Sequence, residues 1–462
     1  MGDELKLSYA VTGPGLIMLI ALGCAQPSAD AVGELQPYLE GPVAYEEAWR
    51  ERPDAQDRRE QVQQMLDEPV DMDTAVRVAL LNNPRLQVDL VQIDITEAMV
   101  RQDAVIANPR VDSELYFSEQ TEGVARFEAG LQISLTSLFS RASRVMAASA
   151  GVDVARAQAA GRVVNFISEV RRAWVDDVAA RQLLAHQEVL LQAARADAQT
   201  AQIYHDAGNI ADDELYQALT FSAEARQDFF RAEEAVLETQ DRLRRLLAID
   251  VEVDWTVIEE LPEPPEQLPE LETLEEQALQ RSLVLRQVEH RRDEQAAQIA
   301  ASRWQGWLPD LTVGVVTDWR GGTLEYGPAA GVALPLFDRN QYDRDAVRAR
   351  GLQQDWIQQD EINRIRLAGE RVSRQLHLNH QAVRQYRDEI LILHERLVEE
   401  TLRQYNAMNV GIFELLQARR NHLHAQADHI DARRRFWMAY IDFNHLLGGG
   451  TSEEVANASG RH

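Results

Sequence analysis

The spacing of apolar and small residues predicts long helices that pack along a coiled-coil seam. After a polar turn at residues 204–214, such residues recur at alternating steps of three and four. They are Leu215, Ala218, Ser222, Ala225, Phe229, Ala232, Val236, Thr239, Leu243 and Leu246. After a second turn at residues 405–414, the same spacing returns at Leu415, Ala418, His422, Ala425, His429, Ala432, Phe436, Ala439, Phe443 and Leu446. A repeat of this length predicts one architecture made from two similar halves.

Each half also contains a segment in which the hydrophobic period changes from helical to two. The alternation predicts β-hairpins at residues 108–138 and 308–337, with strands that are apolar on one side only. Their length and pattern are typical of transmembrane β-strands. An amphipathic hairpin on a soluble domain is the alternative, although the rest of the chain reads as helix and offers no sheet to join. Because open sheet edges do not occur in lipid, four strands would cross a membrane only if several copies closed one barrel.

Helix breakers and element lengths predict the remaining layout. The predicted segments are an extended arm at 25–71, a first repeat at 72–249, a Pro/Glu linker at 250–272, a second repeat at 273–448 and a disordered tail at 449–462. Asn83 is suited to cap a helix that begins at Pro84. A long helix from Arg141 to Tyr204 would measure about 95 Å, and residues 84–107 and 211–247 together would measure about 90 Å. The matching lengths predict a strand hairpin at one end of a helical rod and a reversing turn at the other.

The N-terminal stretch has the features of a targeting segment. No charged residue lies between Leu7 and Ser28, and the apolar run at 15–23 ends at Cys24, the only cysteine. The run is too short for a permanent membrane span and fits a secretory signal at residues 1–24. The letters ALGC resemble a bacterial lipobox, which implies lipidation of Cys24 and, with Ala25 following, sorting to the outer membrane. A chance cysteine in an ordinary signal peptide is the alternative.

Composition narrows the classes of function. The formal net charge is -28, with 75 acidic against 47 basic residues, so nucleic acid is not an expected partner. The acidity fits either a solvated surface or a channel that favours cations. The sequence has no phosphate-binding glycine loop and no HExxH motif, so it predicts neither an enzyme nor a cofactor.

Two pairs of histidines are candidate metal ligands. His377 and His380 lie three residues apart on a predicted helix and could share an ion, but helix-surface histidines that lack a third ligand are more often solvated. His422 and His429 lie two turns apart, which is too far to chelate one ion together. They are expected to mark places where the seam widens or faces water.

The paired motifs resemble the TolC-type outer membrane factors over residues 72–448. The motifs are NNP at 82–84, Pro109 and Pro309 before the hairpins, LTSLF and LPLFD after them, and the two turns, each with a tyrosine, a glycine and a following Glu-Leu. The resemblance implies a mainly helical fold with a small transmembrane β part, in which four strands from each copy of a homotrimer close one barrel. It also implies a periplasmic helical tunnel and a belt around it that contains the linker. The function implied is passive export across the outer membrane, with a periplasmic adaptor and an inner-membrane pump as partners.

The resemblance also assigns roles to the turns. The residues expected to border the adaptor-docking surface are Tyr204, Gly208, Asn209, Ile210, Tyr405, Asn409, Val410 and Gly411. Gly208 and Gly411 are expected to supply backbone freedom for tight reversals. The second turn has Met408 where the first has Gly208, so whether the two turns match in geometry is open. The acidic residues Asp206, Asp212, Asp213, Glu399 and Glu400 either solubilise the turns or form an acidic constriction in the trimer.

A soluble coiled-coil scaffold or a periplasmic adaptor is the competing function. An adaptor would have one helical hairpin flanked by β-rich domains, whereas this chain has two hairpins and only short strand pairs. The wording YNAMNVGIFELLQ resembles a subgroup associated with heavy-metal systems, but export of metals and export of drugs both stay open at this point.

Overall fold

The structure is a computed structural model of the chain. It describes residues 55–118, 121–269, 273–307, 311–320, 322–334, 336–337, 339 and 341–450. The predicted signal segment, Cys24, most of the predicted arm and the tail from residue 451 lie outside the described residues.

The described chain is built from long helices and one small sheet. The first part contains α1 (Ala55–Leu66), α2 (Met72–Asn82), α3 (Pro84–Ala104), β1 (Arg110–Ser118), β2 (Thr121–Ser134), α4 (Leu135–Asp206) and α5 (Asp212–Leu247). The second part contains α6 (Leu274–Arg281), α7 (Leu283–Trp307), β3 (Leu311–Arg320), β4 (Thr323–Val332), α8 (Gln341–Gln385), a π-helical turn (Tyr386–Ile390), α9 (Leu391–Asn406) and α10 (Ile412–Leu447). The predicted fold class is therefore confirmed.

The strands form one antiparallel sheet in the order β1-β2-β3-β4. The hairpins of the two repeats meet where β2 pairs with β3. In β3, the exposed side chains Val313, Val315 and Trp319 alternate with the half-buried Val316 and Asp318. The sheet thus has one exposed apolar face and a second, more polar face. Among the described residues, no helix has both the length and the apolar character needed to cross a membrane.

The predicted seams are buried. In α5 and α10 every seam position is buried or half-buried, and the largest hydrophobic cluster joins the two repeats through side chains such as Trp174, Val372 and Phe436. Toward the turns the core shrinks to small clusters, one of which is formed by Ala201, Leu215 and Ala218. The rod is therefore firmly packed at its middle and thinly packed near the turns.

The NNP motif ties two helix ends together. The side chain of Asn83 caps α3 by accepting a hydrogen bond from the backbone N–H of Arg85 at 2.9 Å, and Pro84 is the first helical residue, as predicted. The Asn83 amide also donates to the carbonyl of Leu246 at 2.9 Å, at the end of α5. The break between α2 and α3 is thereby fixed against the end of the first repeat.

The corresponding junction of the second repeat uses backbone groups. The N–H of Leu283 donates to the carbonyl of Gly449 at 3.2 Å. Gly449 has a φ of 79°, and a Cβ there would overlap the carbonyl of Arg281. Glycine at this position allows the chain after α10 to pass close to the break between α6 and α7.

The linker contacts the segment just before α2 and two helices of the second repeat. Its backbone bridges Val257 to Val70, just before α2. The carbonyl of Pro262 accepts a hydrogen bond from the indole of Trp437 at 2.8 Å. The carbonyl of Pro265 accepts one from Nε2 of His380 at 2.9 Å. The linker therefore contacts both α8 and α10.

Three local expectations were wrong. Residues 55–66, expected to be extended, form α1, whose Val62 and Leu66 are buried one turn apart. The LTSLF segment opens α4 instead of closing the hairpin, because Ser134 caps the helix and accepts a hydrogen bond from the N–H of Ser137 at 3.3 Å. Strand β4 ends at Val332. Leu334 and Leu336, expected to continue that strand, lie beyond it in the segment that contains Pro335, a residue that cannot donate to a β-ladder.

Candidate functional site

The two turns have the same backbone hydrogen bonds at positions 200 residues apart. In the first turn, the N–H groups of Ala207, Gly208 and Asn209 donate to the carbonyls of Ile203, His205 and Tyr204 at 3.2, 2.8 and 2.8 Å. In the second, those of Ala407, Met408 and Asn409 donate to Arg403, Tyr405 and Gln404 at 3.0, 2.9 and 2.9 Å. The geometry of the two turns therefore matches in spite of their different sequences.

The left-handed residue differs between the turns. It is Gly208 in the first, with a φ of 74°, and Met408 in the second, with a φ of 60°. Gly411 has a φ of -79° and a ψ of 171°, close to the values of -83° and 164° at Ala211. The expected role of Gly208 is confirmed. The expected role of Gly411 was wrong, since any residue adopts its conformation.

Aromatic packing joins the two turns into one surface. The ring of Tyr204 packs edge-on against the ring of Phe413, with 6.5 Å between centroids. Ile210 and Phe413 both pack on the small cluster that contains Leu215. Phe413 was missed in the sequence, because it lies two residues before the first seam position and looks like an ordinary helix residue.

The other docking residues lie around this contact. Tyr405 and Val410 are half-buried, while Asn209, Asn409 and Gly411 are exposed. The side-chain amide of Asn409 donates to Oε1 of Gln404 at 2.8 Å, which holds it on its own turn. The structure thus brings all the predicted docking residues of this chain to one end of the rod.

A groove of about 770 Å³ lies between α5, α9 and α10 next to the turns. Apolar side chains including Phe221, Leu397 and Val410 contribute to its lining. The guanidinium of Arg420 lies over the ring of Phe221 at 4.8 Å and pairs with Asp197 on α4 at 3.2 Å. A partly apolar groove with charged borders suits an amphipathic helix from a partner.

The acidic residues of the first turn surround a histidine. Nε2 of His205 lies 2.7 Å from a carboxylate oxygen of Asp212, and Nδ1 lies 3.7 Å from one of Asp206. The hydrogen bond to Asp212 is the main cause that raises the pKa of His205 above its ordinary value. Asp213 is exposed in the first turn of α5, where the helix dipole favours negative charge.

The acidic residues of the second turn surround an arginine. The guanidinium of Arg403 lies 2.7 Å from Glu400 and 3.9 Å from Glu399, and all three side chains are largely exposed. The five predicted acidic residues therefore form two groups, one on each hairpin, and each group contains a cationic or titratable partner.

The histidines singled out in the sequence have separate partners. His380 is buried and binds the linker carbonyl of Pro265, whereas His377 is exposed and lies 2.9 Å from the amide of Gln381. His429 stacks on Tyr386, with 6.3 Å between centroids, and burial lowers its pKa. Within the described part of the chain, no group of three or more His, Cys, Asp or Glu side chains is arranged to hold a metal ion.

Comparison with known proteins relates the first repeat to one protein family. Residues 75–248, which cover most of the first repeat, match the family model described as "Outer membrane efflux protein". The first repeat is therefore similar to the outer membrane efflux proteins. A search of curated proteins finds no match to the chain.

Solved structures show that the similarity in fold extends over both repeats. The structure of CusC, from work on transmembrane channel formation, matches with a TM-score of 0.65 at 18% identity, covering 82% of this chain and 92% of that one. The outer-membrane channel OprN matches with a TM-score of 0.69 at 15% identity, over 84% and 92% of the two chains. The Campylobacter jejuni outer membrane channel CmeC matches with a TM-score of 0.65 at 15% identity, over 84% and 89%.

Proposed function

We propose that three copies of this chain form the exit duct of a tripartite export system in the bacterial outer membrane. The main observation in support of this proposal is the four-stranded sheet. Strands β1 and β4 each pair with one neighbour in the sheet, and the same sheet has an exposed apolar face. Lipid does not tolerate unpaired strand edges, so β1 of one copy pairs with β4 of the next until the barrel closes.

The helices supply the periplasmic part of the duct. Helix α4 has 72 residues and is about 108 Å long. It lies against the second repeat through polar contacts such as Arg172 with Asp442 at 2.6 Å and Arg434 with Asp176 at 2.8 Å. Transport through such a duct is passive, and the pump supplies the energy. This role fits a family of efflux channels, which are not enzymes.

The paired turns form the docking surface for a periplasmic adaptor. Support comes from the aromatic contact between Tyr204 and Phe413 and from the adjoining groove. The two turns share one backbone geometry, so three copies offer six similar positions to adaptor hairpins. Lipidation of Cys24 would anchor the same assembly to the outer membrane.

The acidic groups at the turns form a constriction that favours cations in the trimer. Support comes from their exposure and from their position at the end of the rod. Cargo is therefore small and includes cations. The similarity to CusC concerns the fold and identifies no cargo, so both metal ions and cationic drugs stay within the proposal.

Extraction and reconstitution test this function together. We expect the full-length protein to require detergent for extraction, to have the mass of a trimer and to form channels in planar bilayers. A soluble monomer that needs no detergent would overturn the duct and favour a coiled-coil scaffold. Changing Glu399 and Glu400 to Gln tests the constriction: channels should persist with a weaker cation preference, whereas an unchanged preference would remove these two residues from the gate.

A further inference from the structure

One face of the sheet carries a carboxylate on every strand at the same level. In the cross-strand register, Glu114 of β1 lies opposite Glu128 of β2, and Glu128 lies opposite Asp318 of β3. Asp318 in turn lies opposite Glu325 of β4. Residues directly opposite in a ladder share a face, so the four side chains form one continuous row across the sheet.

A row of different chemistry lies on the same face, nearer to the ends of β1 and β3. There Tyr116 lies opposite Arg126, and Arg126 lies opposite Arg320. Arg320 pairs in register with Thr323, so the row crosses all four strands. Helix α4 follows directly from the other end of β2, so the arginine row is farther from the helices and is the outer of the two.

The other face of the sheet is apolar at the same height. Leu115, Phe127, Trp319 and Leu324 lie opposite one another in register, and all four side chains are exposed. In the proposed duct this apolar face contacts lipid. The carboxylate and arginine rows must then face the water-filled interior near its external opening. We refer to these two rows as the charge collar.

The two arginines bind the middle of the carboxylate row. Nη2 of Arg126 lies 2.8 Å from Asp318 and 2.9 Å from Glu128, and the Arg320 guanidinium lies 3.4 Å from Asp318. Tyr116 donates a hydrogen bond to Glu114. Four carboxylates and two guanidinium groups leave the collar with an excess of negative charge in each copy. Three copies in one ring would concentrate that excess around the pore axis.

The spacing of the carboxylates suits an electrostatic effect on passing ions better than the chelation of one bound ion. Neighbouring strands lie about 4.8 Å apart, so the four carboxylates are distributed around the wall instead of converging on one point. Consistent with this, no described group of acidic and histidine side chains is arranged to hold a metal ion. Rings of fixed charge in a pore act on ions in transit by changing their local concentration.

We propose that the charge collar is a second selectivity element, which favours cations at the external opening independently of the acidic residues at the turns. This inference rests on the proposed duct, since it requires a closed barrel. Glu114 and Glu325 are the principal determinants, because Arg126 and Arg320 offset Glu128 and Asp318. The positive charge of Arg320 reduces the cation preference of the charge collar.

Reversal potentials under a KCl gradient test the collar in reconstituted full-length channels. In the double variant Glu114→Gln/Glu325→Gln, the cation-to-anion permeability ratio should fall by at least about twofold, because the excess negative charge is removed. The matched control Glu114→Asp/Glu325→Asp keeps the charge and should keep the ratio. Arg320→Gln should move the ratio in the opposite direction, which guards against a variant that only damages the barrel.

The outcomes separate this inference from the proposed function. If the native protein forms no channels, the duct itself is overturned. If channels form and the ratio is the same in native protein, the double Gln variant and Arg320→Gln, the collar is overturned while the duct stands. A double Gln variant that fails to insert leaves Arg320→Gln as the deciding measurement, and an unchanged ratio there overturns the collar.

Discussion

Met408 adopts the same left-handed backbone conformation as Gly208, its counterpart 200 residues earlier. This conformation costs a residue with a Cβ about 1 kcal/mol or more, while glycine adopts it freely. Met408 is 93% exposed, so packing of its side chain within one copy does not offset that strain. The second turn is therefore the more strained of the two.

Exchanging the residue types at these positions should change local stability in opposite directions. Met408→Gly should stabilise the second turn by roughly 0.5–1 kcal/mol, and Gly208→Ala should destabilise the first by about 1 kcal/mol. Hydrogen exchange of the amides at 203–211 and 403–411 measures both effects. Met408→Leu keeps the strain and serves as the control. Faster exchange in Met408→Gly than in the native chain would contradict this account.

The first turn should be more stable at acidic than at alkaline pH. The hydrogen bond to Asp212 raises the pKa of His205 above 6.5 in the folded chain. The folded state therefore favours the protonated imidazole, and its contribution is complete below the unfolded pKa and lost as pH rises through the folded one. Protection from hydrogen exchange at 200–214, measured relative to the intrinsic exchange rate at each pH, should thus fall as the pH is raised from about 6 to 8. His205→Gln should remove this dependence, and its persistence in that variant would assign the effect to another group.

The pair between Arg420 and Asp197 should help to hold the two hairpins together near the turns. The Asp197 side chain is only 6% exposed, so removing its cation leaves a carboxylate that is poorly solvated. Arg420→Gln should cost roughly 1–3 kcal/mol and loosen α10 from α4. In bilayers we expect a higher mean conductance.

Arg374→Gln is the matched control for that experiment, because Arg374 forms an exposed pair with Glu370 on its own helix at 3.2 Å. Its conductance should equal that of the native chain. Equal conductance in Arg420→Gln would show that the contact with Asp197 does not limit opening.

Gly449 should be among the least replaceable glycines. Its left-handed backbone and its contact with the carbonyl of Arg281 leave no room for a Cβ, so Gly449→Ala should lower stability by about 2 kcal/mol or more. Gly161 lies in the interior of α4, and apart from the helix's own backbone no atom lies within 4 Å of an added Cβ. Gly161→Ala should therefore stabilise the protein by up to about 1 kcal/mol. Thermal denaturation in detergent distinguishes the two. Equal midpoints would contradict the tight junction after α10.

Periodic features of this fold were readable from the sequence because they repeat over many residues. The 3-4 seams, the alternating strands and the Asn83-Pro84 helix start each follow from local geometry. In the sequence, Met408 in the second turn and Gly208 in the first were visible only as different residues at corresponding positions. Sequence patterns do not show that the surrounding hydrogen bonds impose the left-handed conformation whichever residue is present.

Features set by tertiary contact were not readable. Helix α1 has few apolar residues, and Val62 and Leu66 gain significance only from the cluster that they contact. The π-helical turn at 386–390, between α8 and α9, does not interrupt the 3-4 spacing of the α10 seam and was not predicted. The charge collar depends on the pairing of β2 with β3, which joins segments nearly 200 residues apart and sets Glu128 opposite Asp318. A hydrophobic pattern fixes which face a residue takes, but not its level on the neighbouring strand.

The two outer edges of the sheet also determine how intact and mutant subunits behave when they assemble into the same trimer. Each subunit in the proposed trimer lends one edge to each of its neighbours, so a lesion in β1 or β4 is shared by the whole ring. If half of the subunits carried such a lesion and assembled at random, only about one ring in eight would be free of it. Mutations in these edge strands should therefore behave as dominant in cells that also express the intact protein.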